Sequence, residues 1–126
     1  MITIIGGAYQ GKLEYATDRF GLADDSIYRC DEGNTDMPEH KKIVYEIDKW
    51  ILALVKADID IAGAMRRFIA ANADTVVICT DISCGVVPID GTQRKWREAV
   101  GQSMVTLSHA SNEVVRLFCG IPTRIK

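Results

Sequence analysis

No stretch of this 126-residue chain is long and apolar enough to cross a bilayer, which takes about 20 such residues. There is no basic excess either. Fifteen Lys and Arg stand against 17 Asp and Glu, for a formal net charge of -2, so nothing draws a nucleic-acid backbone. The opening Met1 to Ile5 runs straight into Gly6-Gly7, without the basic n-region and cleavage site of a secretory leader. Only two histidines, His40 and His109, are present, and none of the four cysteines forms a CxxC pair, which argues against a zinc site. Cys79 sits inside one apolar run and Cys119 ends another, so the cysteines read as buried free thiols of a reducing, cytoplasmic environment. Low-complexity tracts and internal repeats are also missing. The polar stretch Asp31 to His40 is therefore an excursion and not a linker, and residues 1–126 read as a single domain.

What is present is ordinary globular composition, 48% hydrophobic and 25% charged, enough to bury a core. Ile2 to Ile5 reads as a short buried strand and Lys12 to Phe20 as a helix that Gly21 stops. Ser26 to Cys30 reads as a second strand. Ile43 to Val55 is ambiguous: Ile43, Ile47, Trp50, Ile51 and Leu54 fall at helical spacing, while Ile43-Val44-Tyr45 alone suits a strand. A helix is expected near Ile61 to Ala73, with Met65, Phe68 and Ile69 on its buried face. Thr75 to Cys79 is a continuous apolar strand of the kind that parallel sheets cover on both faces. Thr92 to Ala110 reads as a helix with Trp96, Val100, Met104 and Leu107 in one stripe, and Glu113 to Cys119 as the last strand. Strands alternating with helices predict an α/β, three-layer P-loop NTPase-like fold with a mostly parallel central sheet.

The segment with the most chemistry is Gly6-Gly7-Ala8-Tyr9-Gln10-Gly11-Lys12, a GxxxxGK sequence between a predicted strand and a predicted helix. Glycines let successive amides turn inward as an anion nest, the helix N-terminus adds partial positive charge, and Lys12 adds a mobile cation. Gly6 through Lys12, with Leu13, are the expected nucleotide-binding residues. The plainer alternative is a strand-to-helix turn carrying a surface lysine. Leu13 stands where the full motif has a Ser or Thr hydroxyl for Mg²⁺. Thr17 does not replace it, being one turn on, about 6 Å along the helix axis. Tyr9 either stacks on a ligand or covers the turn. A second constellation, Thr80-Asp81-Ile82-Ser83-Cys84-Gly85-Val86-Val87-Pro88, follows the apolar strand, where a nucleotide site needs its second wall and where a turn aspartate is equally natural.

These residues resemble the adenosylcobinamide kinase/adenosylcobinamide-phosphate guanylyltransferase family of cobalamin biosynthesis. TDISCGVVP after TVVIC is similar to that family's (N/D)-E-(V/I)-G-x-G-(I/V)-V-P. Arg97 and Gly101 in WREAVGQ follow at similar spacing, and ASNEVVRLFCGIPTRIK resembles the family's close. GGAYQGK resembles its GGARSGKS loop and, more closely, the GGAYQGKT form of shorter relatives. The likeness covers Met1 to Arg19 and Trp50 to Lys126, with the middle poorly matched.

The resemblance implies an ATP- or GTP-dependent kinase acting on the aminopropanol hydroxyl of adenosylcobinamide. Long members also transfer GMP through a histidine. It places Gly6, Gly7, Gly11 and Lys12 on the phosphates and Arg97 at the family arginine. Lys12 and Asp81 are the implied catalytic residues, with Asp81 in the place of the family glutamate. With Trp50 aligned to the family tryptophan, Tyr45 takes the place of the metal-binding aspartate. Asp48 and Glu46 become the candidate ligands of a weakened Mg²⁺ site. No R-I-x-x-H segment is present; His40 reads as a solvated loop residue and His109 as a helix cap. The expected protein is a cobinamide kinase-like phosphotransferase without guanylyltransferase activity, a homo-oligomer whose partners are nucleotide and corrinoid small molecules. The alternative is a catalytically degenerate nucleotide- or corrinoid-binding protein with a regulatory role.

Overall fold

A computed structural model describes residues 1–83 and 89–126. Cys84 and the Gly85 to Pro88 part of the TDISCGVVP segment lie outside the described residues. In chain order the elements are β1 (Ile2–Gly6), α1 (Lys12–Phe20), a 3-10 turn (Asp24–Ser26), β2 (Ile27–Arg29) and β3 (Ile43–Tyr45). They continue with α2 (Ile47–Lys56), α3 (Ile61–Ala71), β4 (Val76–Thr80), α4 (Gly91–Ala110), β5 (Glu113–Phe118) and β6 (Ile121–Arg124). One six-stranded sheet has the order β2-β3-β4-β1-β5-β6, parallel throughout except for antiparallel β6. The expected α/β architecture with a mostly parallel sheet is what the chain adopts.

Strand side chains alternate between faces, and each face has its own helices. Val44, Val77 and Cys79 pack with Ile47, Trp50, Ile51 and Leu54 of α2, Met65 and Phe68 of α3, and Val100 and Leu107 of α4. On the other face Ile4, Ile43, Val76, Ile78, Val115 and Leu117 pack with Ala16 of α1. Both faces are covered, which is why β4 reads as unbroken apolar sequence. The 31–40 excursion carries no helix or strand and is pinned to the helical layer. The indole of Trp50 donates to the Thr35 carbonyl at 3.1 Å, and the buried Asn72 amide donates to the Pro38 carbonyl at 2.9 Å.

The ambiguous stretch from Ile43 proves to be strand and helix joined by a single residue. Glu46, at φ 58°, turns the end of β3 directly into α2. Two expectations are corrected. Glu113 to Cys119 is not the last strand: β5 ends at Phe118, and a turn through Cys119 (φ 52°) and Gly120 (φ 74°) leads into β6. Two left-handed residues in succession make the tight hairpin turn whose twist matches the strands it joins. Cys119 is therefore exposed, whereas Cys30 and Cys79 are buried, and all three are free thiols. Among the described residues no helix is long and apolar enough to cross a membrane.

Gly6 closes β1 where β5 comes nearest. A Cβ there would lie 2.6 Å from the Leu117 carbonyl oxygen, a backbone atom that cannot swing aside. Gly6→Ala should therefore lower stability by about 1–3 kcal/mol, the usual cost of overpacking. A thermal melt checks this, and a midpoint equal to the parent's would refute the close approach.

Candidate nucleotide site

The carboxyl end of β1 opens into the loop 7–11, and Gly11, at φ 84°, caps α1 in the left-handed region without any side-chain cap. That backbone conformation is open to glycine at little steric cost. It also leaves the first-turn amides of α1 without a side-chain acceptor. Among the described residues, no amide from Gly7 to Lys12 donates to a backbone carbonyl in the turn, loop and cap bonds. Tyr9, at φ 58°, has a fully exposed ring. It does not cover the turn.

Lys12 behaves unlike a surface lysine. It is only 5% exposed, and its Nζ donates to the Gly7 carbonyl at 2.6 Å, tying helix to loop. Burial pulls its pKa below the ordinary lysine value, and the charge of Asp48 is the largest influence opposing that pull. Asp48, 2% exposed in the first turn of α2, accepts the Thr80 amide at 2.9 Å through Oδ1. Burial raises its carboxyl pKa, and the Thr80 hydrogen bond works against the rise. The same turn is fixed from α4, where the Trp96 indole donates to the Asp48 carbonyl at 2.8 Å.

A cleft of about 720 Å³ lies over these groups, at the carboxyl ends of the parallel strands where open α/β sheets take their ligands. Its walls include Ala8, Tyr9, Gln10, Gly11, Lys12 and Leu13 from the loop and α1, with Glu46 and Asp48 opposite. Sequence reasoning did not place Arg29, Lys49 and Trp96 in the site, yet they line it too, as does Tyr45, which the resemblance aligned with the metal-binding aspartate. The Arg29 guanidinium stacks over the Tyr45 ring at 4.5 Å from its centroid and pairs with Glu46 at 3.4 Å. The position of Arg29 at the carboxyl end of β2 was a usable signal. Trp96 gave none, because its helical spacing reads as core.

Gly6 and Gly7 form the base of the loop, and the Gly6 carbonyl accepts the Asp81 amide at 2.9 Å. Asp81 turns its carboxylate onto its own segment, where Oδ1 accepts the Ser83 amide at 2.9 Å. The Arg97 guanidinium donates to the Ser83 carbonyl. Asp81 and Arg97 thus meet on the 81–83 segment, and neither is among the residues that line the cleft. His40 and His109 are exposed and do not line the cleft either. The Thr17 hydroxyl donates back to the Leu13 carbonyl at 3.1 Å, within its own helix.

For Mg²⁺ the available oxygens are few. Leu13 offers none, one Asp48 oxygen is held by Thr80, and Glu46 is engaged by Arg29. Among the described residues no group of three or more His, Cys, Asp or Glu converges to hold a metal ion. A cation that enters on nucleotide phosphates and keeps several of its waters suits this donor set; a resident ion does not.

The model of one family, described as Cobinamide kinase / cobinamide phosphate guanyltransferase, matches residues 37–125. The match includes the 37–49 stretch that sequence reading set aside as poorly matched, and it begins after the glycine loop. A search of curated proteins finds no match.

Asp48→Asn keeps an oxygen for the Thr80 amide and removes the charge that most supports protonated Lys12. The Lys12 pKa should fall further below the usual lysine value in this variant. An NMR titration of the Lys12 side chain would register it as deprotonation at lower pH. An unchanged or raised titration would show that Asp48 does not act on Lys12.

Proposed function

The chain belongs to the cobinamide kinase / cobinamide phosphate guanyltransferase family of cobalamin biosynthesis, and on that premise we propose that it is a nucleotide-dependent phosphotransferase of the cobinamide kinase kind. The observation that carries this reading is the buried ammonium of Lys12. It lies at the base of a glycine loop, under a cleft formed by strand ends, with a buried carboxylate to support its charge.

In this reading ATP or GTP lays its phosphates on the loop from Gly6 to Lys12. Loop amides and the N-terminus of α1 hold the non-bridging oxygens. Lys12 neutralises charge as it shifts toward the β–γ bridging oxygen. The substrate hydroxyl attacks the γ-phosphorus, the bond to the bridging oxygen breaks, and a nucleoside diphosphate leaves while the hydroxyl proton passes to solvent or a nearby carboxylate. Mg²⁺, when bound with the nucleotide, supplies further charge neutralisation and orientation. Asp48 and Glu46, which line the cleft, would meet it or its waters. Asp81 and Arg97 act on the reaction through the 81–83 segment, by shaping the wall beyond β4. The missing R-I-x-x-H segment, and the positions of His40 and His109 away from the cleft lining, support loss of the guanylyltransferase step, which in long relatives runs through a histidine. The protein would work as a single P-loop nucleotide-binding domain in a cytoplasmic homo-oligomer, with a corrinoid as acceptor.

Leu13 and the stacking of Arg29 on Tyr45 favour a second reading, a degenerate member that holds nucleotide or corrinoid without turnover and regulates a partner. Metal dependence separates the two. A kinase binds ATP or GTP more tightly with Mg²⁺ and labels adenosylcobinamide from γ-labelled nucleotide, whereas the degenerate binder does neither.

Lys12→Ala should lower nucleotide affinity or kcat/KM by about 100-fold, as expected for loss of one preorganised charge contact. Equal nucleotide binding by parent and variant in a calorimetric titration would overturn the kinase reading and nucleotide binding by a degenerate member alike. In the degenerate case Leu13→Thr should introduce Mg²⁺ dependence into nucleotide binding, checked by the same titration with and without the metal.

A further inference from the structure

The loop is also held from the far end of the chain. Gln10 accepts two amides of the β5–β6 turn: its backbone carbonyl takes the Gly120 N–H at 3.1 Å, and its side-chain Oε1 takes the Cys119 N–H. Its stem crosses the loop, since a Cβ built on Gly7 would come within 3.6 Å of Gln10 Cγ. The approach is close on the other side as well, where a Cβ on Gly11 would lie 3.6 Å from the Gly120 Cα. The turn can present two neighbouring amides because both of its residues are left-handed.

We propose that Gln10 is a positioning residue, through which the Cys119–Gly120 turn holds the phosphate loop in the shape that receives a nucleoside triphosphate. This rests on the proposed nucleotide site and adds to it a device whose anchor, the β5–β6 turn, lies outside the cleft lining. Glycine loops gain freedom from the residues that let them curl, and that freedom must be given up when an anion binds. A two-amide clasp from β5–β6 fixes the loop beforehand. The clasp gives the hairpin a task that its exposed β6 strand, which covers no core, does not otherwise explain.

Gln10→Met keeps the length of the side chain and removes the acceptor for Cys119. Binding of inorganic tripolyphosphate and of ATP should each weaken about tenfold, since a loop not set in advance loses affinity for whatever it must enclose. The melting midpoint should move by less than about 2 °C, because the lost bond lies on the surface. Hydrogen exchange at the Cys119 amide should accelerate in Gln10→Met and return toward the parent rate in Gln10→Glu, which restores an acceptor of the same reach. Parent-like tripolyphosphate affinity in Gln10→Met, with Lys12→Ala still defective, would overturn the clasp alone. A loss of affinity matched by a large fall in melting midpoint would show a structural role and overturn it as well. If the parent and Lys12→Ala bind tripolyphosphate equally, the nucleotide site itself fails and the positioning role fails with it.

Discussion

Burying the ammonium of Lys12 beside a carboxylate that is itself buried is the constraint around which this end of the sheet is organised. A lysine taken out of water is pushed to release its proton, and a carboxylate taken out of water is pushed to accept one. Each charge is opposed by burial and supported by neighbouring groups. Lys12 has the Gly7 carbonyl and the charge of Asp48, and Asp48 has the amide of Thr80. Those partners sit at the ends of three adjacent strands, β1, β3 with its one-residue passage into α2, and β4. The left-handed Glu46 makes that passage abrupt, so Asp48 falls in the first helical turn, where it reaches Thr80. The Trp96 indole then binds the same turn to α4. Desolvating such charges costs several kcal/mol even when they are partnered, so the arrangement is weak as a source of stability and well suited to meeting charge.

The parts of this site legible in the sequence are those written locally. Strand, glycines, lysine and helix follow one another within the first 20 residues, and each element is specified by its own residues. Asp48 could be named from its nearness to the tryptophan-aligned position, but its burial could not, because it depends on Thr80 from another strand. The helical spacing of Ile43 and Ile47 disguised a strand-to-helix break, since the joint consumes only Glu46 and leaves the apolar period intact. Strand β6 was invisible for a different reason. Ile121 to Arg124 includes a proline and is exposed throughout, so it lacks the apolar run that marked β4. Its pairing with β5 follows from the turn at Cys119 and Gly120, and Cys119 was read as buried because the strand before it is apolar. The family match gives a complementary view: it spans 37–125, where distributed features accumulate, and does not include the glycine loop that local reading found most informative.

The distribution of charge around the cleft bears on how a nucleotide would be held. Lys12, Arg29 and Lys49 face Glu14, Glu46 and Asp48 in its walls, three cationic side chains against three acidic ones. Arg29 and Glu46 are already engaged with each other. Among the described residues this leaves Lys12 and Lys49, with the partial charges of the loop and α1, to meet the tail of a nucleoside triphosphate. In a full P-loop the hydroxyl after the lysine fixes a metal ion that makes up the difference. Leu13 cannot, and the Thr17 hydroxyl is turned into its own helix. A triphosphate would therefore have to bring its own cation and rely on carboxylates across the cleft to orient it. In the proposed reading, control of metal position would pass from the loop to Asp48 and Glu46, both set by the joint between β3 and α2. On that reading, turnover would depend less on the glycine loop than on how well that joint presents its carboxylates.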